Sequence, residues 1–200
     1  TTMVVFGDVN LGRAVGQELL KGHTGYPFQF VKDSLAKTDI VFVNLESQLS
    51  EQNGETQHPK NNLIFCGPSV GAASLKEANV SVVSTANNHA YDYGRRALRE
   101  TILNLDSARV AFVGSSIDSV QTSVPVVLER SGIRIGFLAY TQFMNFKGRW
   151  VGHVALFDEH RVARDIGSLR TKVDFVVVSY HGGSEYVDRP PGTVKRDFRI

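Results

Sequence analysis

Four short polar segments hold the residue types that could do chemistry. They are Gly7-Asp8-Val9-Asn10-Leu11-Gly12-Arg13, Asn44-Leu45-Glu46, Asn87-Asn88-His89-Ala90-Tyr91-Asp92-Tyr93-Gly94 and His181-Gly182-Gly183-Ser184-Glu185-Tyr186. Between them they offer carboxylate oxygen, amide oxygen and imidazole nitrogen, the donors that suit Mn, Zn, Fe or Mg. They contain no thiolate, which argues against a structural zinc knot. One or two divalent ions fit such a set. A pair ~3.5–4 Å apart would activate a water nucleophile and clamp a phosphoryl group. Taken singly, each residue also has an ordinary reading. Asp8 could cap a helix, Glu46 could be a solvated loop carboxylate, and Asn87 and Asn88 could be turn formers. Arg13 could be a helix-face charge, and His181-Gly182-Gly183 a plain turn. Position decides between these readings.

The elements that must carry the segments are legible as short apolar runs. Met3–Phe6, Ile40–Asn44, Val80–Ser84, Val110–Val113, Val124–Leu128, Ile133–Ala139 and Asp174–Ser179 read as strands, with Leu63–Cys66 a weaker candidate. Arg13–Lys21, Phe28–Lys37, Ser69–Ala78, Arg95–Ala108 and Glu159–Thr171 follow a helical period. Alternation of the two predicts an α/β fold with a largely parallel sheet, in one domain spanning residues 1–200. Only Glu129-Arg130-Ser131-Gly132 separates the fifth and sixth strands, which predicts a hairpin and therefore mixed sheets. Gln48–Asn62 is polar and turn-rich and reads as a surface loop; Gln142–Gly152 reads as a second long loop. Within it Trp150 is a candidate to cover the site. All four polar segments fall just after the C-terminal ends of strands, where open α/β sheets bind ligands. Their recurrence there favours one shared site over four unrelated turns.

Bulk properties exclude several classes. The apolar fraction is 42% and the charged fraction 21%, which fits a folded globular chain. A net charge of +2, without a Lys/Arg run, gives no reason to expect a nucleic-acid partner. The single cysteine, Cys66, rules out a disulfide framework within the chain and reads as a small buried hydrophobe. No stretch approaches the ~20 apolar residues of a membrane span. His23, His58, His153 and His160 lack matching partners nearby and read as surface residues. The glycines of Gly7–Gly12 do not have the G-x-G-x-x-G spacing of a dinucleotide site.

The four segments resemble the ordered motifs of the CapA family, which is linked to poly-γ-glutamate capsule synthesis. The run Asn87-Asn88-His89-Ala90 with Asp92 and Gly94 is the most specific part, and the resemblance spans nearly the whole chain. That family in turn resembles the calcineurin-like metallophosphatases, implying a layered α/β/β/α sandwich with mixed sheets. By this resemblance Asp8, Asn10, Glu46, Asn88 and His181 stand at metal-ligand positions. His89, with Asp92, stands at the catalytic position that assists the leaving group. Arg13, Asn87, Glu185 and Tyr186 stand at substrate positions. Two departures are visible: the superfamily's opening Asp-x-His reads Asp8-Val9-Asn10, and Gly182 stands where the family usually has Trp. A final His-containing motif would lie past Ile200, so the resemblance implies an incomplete C-terminus.

The resemblance implies a metal-dependent hydrolase acting on a phosphoester, or on an amide or end of an anionic polymer. The alternative is a non-catalytic, polymer-binding component of a capsule synthesis or export complex. It also implies membrane association at the extracellular face, although the sequence itself shows no anchor.

Overall fold

The computed structural model describes residues 1–118, 121–145 and 152–199. In chain order the elements are β1 (Met3–Val9), α1 (Arg13–Leu20), a 3-10 turn (Tyr26–Phe28), α2 (Lys32–Leu35), β2 (Ile40–Leu45), β3 (Gln48–Leu49), β4 (Gln57–His58) and β5 (Asn61–Gly67). There follow α3 (Gly71–Glu77), β6 (Val82–Ser84), α4 (Gly94–Ser107), β7 (Ala111–Val113), β8 (Val126–Arg130), β9 (Ile133–Thr141), α5 (Glu159–Leu169), β10 (Phe175–His181) and α6 (Gly192–Asp197).

Strand β2 is apolar on both faces, and all six of its residues are buried, as a strand covered on both sides requires. It lies inside a four-stranded sheet of order β1-β2-β6-β7, with every pairing parallel. A second sheet of order β10-β9-β8 pairs β10 with β9 in parallel and β8 with β9 antiparallel, so the sheets are mixed. The β8–β9 loop is Ser131-Gly132, and both residues have positive φ (51° and 77°). That is the two-residue turn whose twist suits a hairpin. A small third sheet has the order β3-β5-β4.

Side-chain alternation sorts the layers. Ile40 and Phe42 of the first sheet face Ile135, Phe137 and Ala139 of the second, and the rings of Phe42 and Phe137 stack at 5.6 Å. Val41 and Val43 point the other way, into a cluster with Leu19 of α1, Leu35 of α2 and Leu75 of α3. Leu138 and Tyr140 point outward from the second sheet onto Val162 and Leu169 of α5. The result is the α/β/β/α order. Burial of each such side chain contributes roughly 1.5–3 kcal/mol relative to exposure.

Several elements depart from expectation. The expected helix Phe28–Lys37 is a 3-10 turn followed by the single turn α2. Pro27 enters at the start of the 3-10 turn, and Val31, at φ −120°, breaks the helical path. Phe30, inside the expected helix, is 92% exposed. The start of the expected surface loop, Gln48 to Ser50, is buried. There the Gln48 side chain accepts from the Tyr93 N–H and donates to the Gly94 carbonyl, holding the N-terminus of α4. The weaker candidate Leu63–Cys66 lies within β5. Strands β1, β9 and β10 run further than expected, so Asp8 and His181 sit on strands rather than after them.

Candidate active site

Parallel pairing aligns the strand ends. Asp8 on β1 is level with Asn44 on β2, and Asn44 with Ser84 on β6; His181 on β10 is level with Thr141 on β9. Because the sheets stack face to face, both sets of C-terminal ends reach one rim. There Asp8, Glu46 and His181 each present a donor atom within 4.8 Å of the others. His181 lies between the carboxylates: Nδ1 is 3.6 Å from Asp8 Oδ1, and Nε2 is 3.5 Å from Glu46 Oε1. Asn88 Oδ1 approaches the same Nε2 at 2.7 Å. The Asn44 amide donates to Asp8 Oδ1 at 2.7 Å and lies 3.2 Å from His181 Nδ1.

The two carboxyls are driven apart in acidity. The His181 imidazole, helped by the Asn44 amide, holds Asp8 below its usual value despite partial burial. Burial, reinforced by the nearby Asp8 charge, pushes Glu46 up. A cation between them would relieve that repulsion. The donor set of two carboxylates, one imidazole and one amide oxygen fits a divalent ion of hard or borderline character.

Beside this cluster the loop after β6 builds a second unit. Asn87, fully buried, donates to the Leu45 carbonyl at 2.8 Å and to Asn44 Oδ1 at 3.2 Å, while its own oxygen accepts from the His89 N–H. It stands behind the site and ties the loop to β2. His89 Nδ1 is 2.8 Å from Asp92 Oδ2, which also accepts from the Phe65 N–H at 3.1 Å. The Asp92 side chain is completely buried, and its Oδ1 has no hydrogen-bond partner among the described residues. The imidazole of His89 stacks on the Phe65 ring at 4.2 Å, and the Arg13 guanidinium lies 4.7 Å over that ring.

Two cavities meet at this rim. One, of about 180 Å³, is bounded by Asp8, Glu46, Asn88, Phe143, His181 and Glu185 among others. The other, of about 290 Å³, is lined by Asn61, Leu63, Ile64, Asn88, His89, Asn145 and Glu185. Asn88 and Glu185 border both, so a single substrate could lie across the pair.

The remaining candidate residues have contacts of their own. Asn10 spends its Oδ1 on the Gly12 N–H at 2.8 Å, within its own loop. Arg13 donates to the Asn62 carbonyl and, like Tyr186, borders neither cavity. Tyr186 is fully exposed. His23 and His160 are exposed, His58 and His153 half-buried, and none of the four belongs to the cluster. Trp150 lies outside the described residues. Sequence reasoning assigned no role to Asn44, Phe65 or Asn145. Asn44 was visible as the one polar residue in an apolar strand. Phe65 and Asn145 meet the site only through folding and left no signal.

Residues 2–198 match the family described as bacterial capsule synthesis protein PGA_cap. The chain belongs to this capsule synthesis family. Among its relatives, the capsule biosynthesis protein CapA of Bacillus anthracis is 26% identical over 202 residues, covering 94% of this chain and 48% of that protein. The PGA biosynthesis protein CapA of Bacillus subtilis (strain 168) is 25% identical over 189 residues, covering 92% of this chain and 49% of that protein. This PGA_cap chain thus spans about half the length of these two relatives. In fold it is similar to a putative 5′-nucleotidase from Staphylococcus aureus, with a TM-score of 0.51 at 11% identity, covering 94% of this chain and 39% of the other. The PGA_cap chain therefore shares the fold of that protein, in keeping with the layered α/β/β/α order expected. Among its described residues no helix is long and apolar enough to cross a membrane.

Proposed function

We propose that this PGA_cap chain is the metal-dependent hydrolytic centre of a capsule synthesis protein. Asp8, Glu46, Asn88 and His181 would hold a divalent ion, and His89 would serve the leaving group. The observation that carries this reading is the convergence of Asp8, Glu46 and His181 within 4.8 Å, beside the His89–Asp92 pair. When bound, the ion supplies Lewis-acid polarisation and activation of a nucleophile. The chain does the rest. Asn44 fixes the Asp8 carboxylate, and Asn87 fixes the loop that carries Asn88 and His89. Asp92 orients the imidazole of His89, which delivers a proton to the departing oxygen. Glu185, bordering both cavities, orients the substrate. The reading takes a phosphoester, or a bond at the end of an anionic capsule polymer, as substrate. It places the whole protein with a membrane-bound capsule synthesis complex on the outer face.

The test is metal content of the purified protein, followed by hydrolysis of generic phosphoesters with added Mn²⁺, comparing wild type with His181→Ala and Glu46→Ala. Metal-dependent turnover lost in both variants is the expected result. Turnover indifferent to either substitution would remove these residues from the mechanism. A second reading, a polymer-binding site without catalysis, is favoured by one feature. Asn10, at the position of the superfamily's opening histidine, bonds within its loop, and among the described residues His, Asp and Glu form one cluster and not a pair. Bound metal without turnover on any ester would select it.

A further inference from the structure

We infer that Phe65 of β5 is a positioning residue for His89, an assignment that rests on the hydrolase reading of the site. Phe65 is 4% exposed and is 24 residues away from His89 in the chain. It touches the His89–Asp92 pair in two ways. Its backbone N–H donates to Asp92 Oδ2, the same oxygen that holds His89 Nδ1. Its ring lies against the imidazole at 4.2 Å, with 27° between the planes.

Each contact removes a different freedom. Two donors on one carboxylate oxygen settle where the Asp92 side chain sits. A hydrogen bond at Nδ1 still lets an imidazole swing about that bond, because the terminal torsion of histidine is broad and roughly two-fold. A flat ring pressed on the imidazole face closes that swing. The Phe65 ring is itself held, since the Arg13 guanidinium lies over it and is anchored to the Asn62 carbonyl on the same strand. This gives Arg13 a place in the site without substrate contact: it braces the wall against which His89 stands. Proton delivery to a leaving group depends on angle as well as distance, and displacement of a reacting group by about 1 Å can cost roughly 10²-fold in rate.

The test separates positioning from general stability through the leaving group. A 2,4-dinitrophenyl ester departs without a proton, whereas a phenyl ester needs one. Phe65→Leu keeps the backbone N–H and removes the ring. It is expected to lower kcat on phenyl phosphate by about 10²-fold and on 2,4-dinitrophenyl phosphate by less than about 3-fold, with KM unchanged. Phe65→Tyr should restore both. Phe65→Met, a pliable filler of similar bulk, serves where the leucine variant folds poorly. A second readout needs no activity: in the metal-free protein, the ¹H–¹⁵N signal of the His89 Nδ1–H should be sharp in wild type and Phe65→Tyr and exchange-broadened in Phe65→Leu. Equal losses on both esters, or a His89 signal indifferent to the ring, would overturn the assignment. If wild type hydrolyses neither ester with any metal, the hydrolase reading fails. The His89 signal then still decides whether Phe65 positions the ring.

Discussion

Replacing Glu46 by glutamine should have opposite effects on the metal-free and metal-loaded protein. In the free protein two carboxyls crowd one imidazole, and both burial and the Asp8 charge raise the pKa of Glu46. A raised carboxyl pKa means that the fold disfavours the ionised form. Glutamine, neutral at every pH, should therefore leave the chelator-treated protein as stable as wild type or more so near pH 7. With metal the sign reverses, because a donor of full negative charge has been lost. An ion present at a hundredfold excess over its Kd stabilises the state it binds by about 2.7 kcal/mol. For a chain of this size about 2–4 °C of Tm accompanies each kcal/mol, so wild type should gain roughly 5–11 °C. Glu46→Gln should gain less than about 2 °C under the same conditions, which corresponds to loss of most of the affinity. His181→Ala should lose the metal gain as well, but from a lower starting point. It forfeits its bonds to Asn88 and Asn44, worth about 1 kcal/mol each. Thermal unfolding followed by circular dichroism, with chelator and with Mn²⁺ or Zn²⁺, measures all three proteins. Equal metal-induced shifts in wild type and both variants, or destabilisation of chelator-treated Glu46→Gln by more than about 1 kcal/mol, would refute the reasoning.

Three further expectations follow from the same structure. Asp92→Asn keeps the shape and removes the charge, and Asp92 Oδ1 has no partner to lose among the described residues. Its unfolding midpoint in urea should move little, while kcat falls by about 10²–10⁴ with KM nearly constant. Gly114→Ala should destabilise by about 1–3 kcal/mol in urea unfolding. A Cβ there would lie 2.5 Å from the Ala86 Cβ and 3.0 Å from the Ala139 Cβ, at a φ of +100°, and an unchanged midpoint would contradict that packing. Burial raises Cys66 to about 12 from 9.0, so its thiol stays protonated in the fold after the unfolded chain has begun to ionise. Native protein at pH 8 should accordingly resist iodoacetamide until unfolded. Above pH 9 stability should fall by about 1.4 kcal/mol per pH unit from this residue until its folded pKa is reached, read from urea midpoints at stepped pH.

The part of the molecule legible in the sequence is the part governed by local periodicity. Strand β2 shows itself as an apolar run because both of its faces are covered. The β8–β9 hairpin shows itself because only Glu129-Arg130-Ser131-Gly132 separates two apolar runs. The residues of the polar cluster were legible for a related reason: polar residues that follow apolar strands must emerge at one rim once parallel pairing aligns those strands, as it does for Asp8 and Asn44. Periodicity misled at Phe28–Lys37, where apolar spacing suggested a helix but Pro27 and the backbone at Val31 allowed only separate turns. It was also silent about Gln48, whose polar side chain is buried because it holds the start of α4.

What tertiary structure alone decided is which residues stand behind the polar cluster. Asn87 looks like a substrate contact by its place beside Asn88, yet it is fully buried and holds the backbone of β2. Arg13 looks like a substrate contact, yet it packs on Phe65. Phe65 itself carries no polar atom beyond its backbone, and so nothing in its type could announce that it would meet His89. Residue type and spacing determine which atoms can bind an ion or carry a proton. The packing of β5 against the loop after β6 determines how one of those groups is aimed, because the contact joins segments with no common period along the chain.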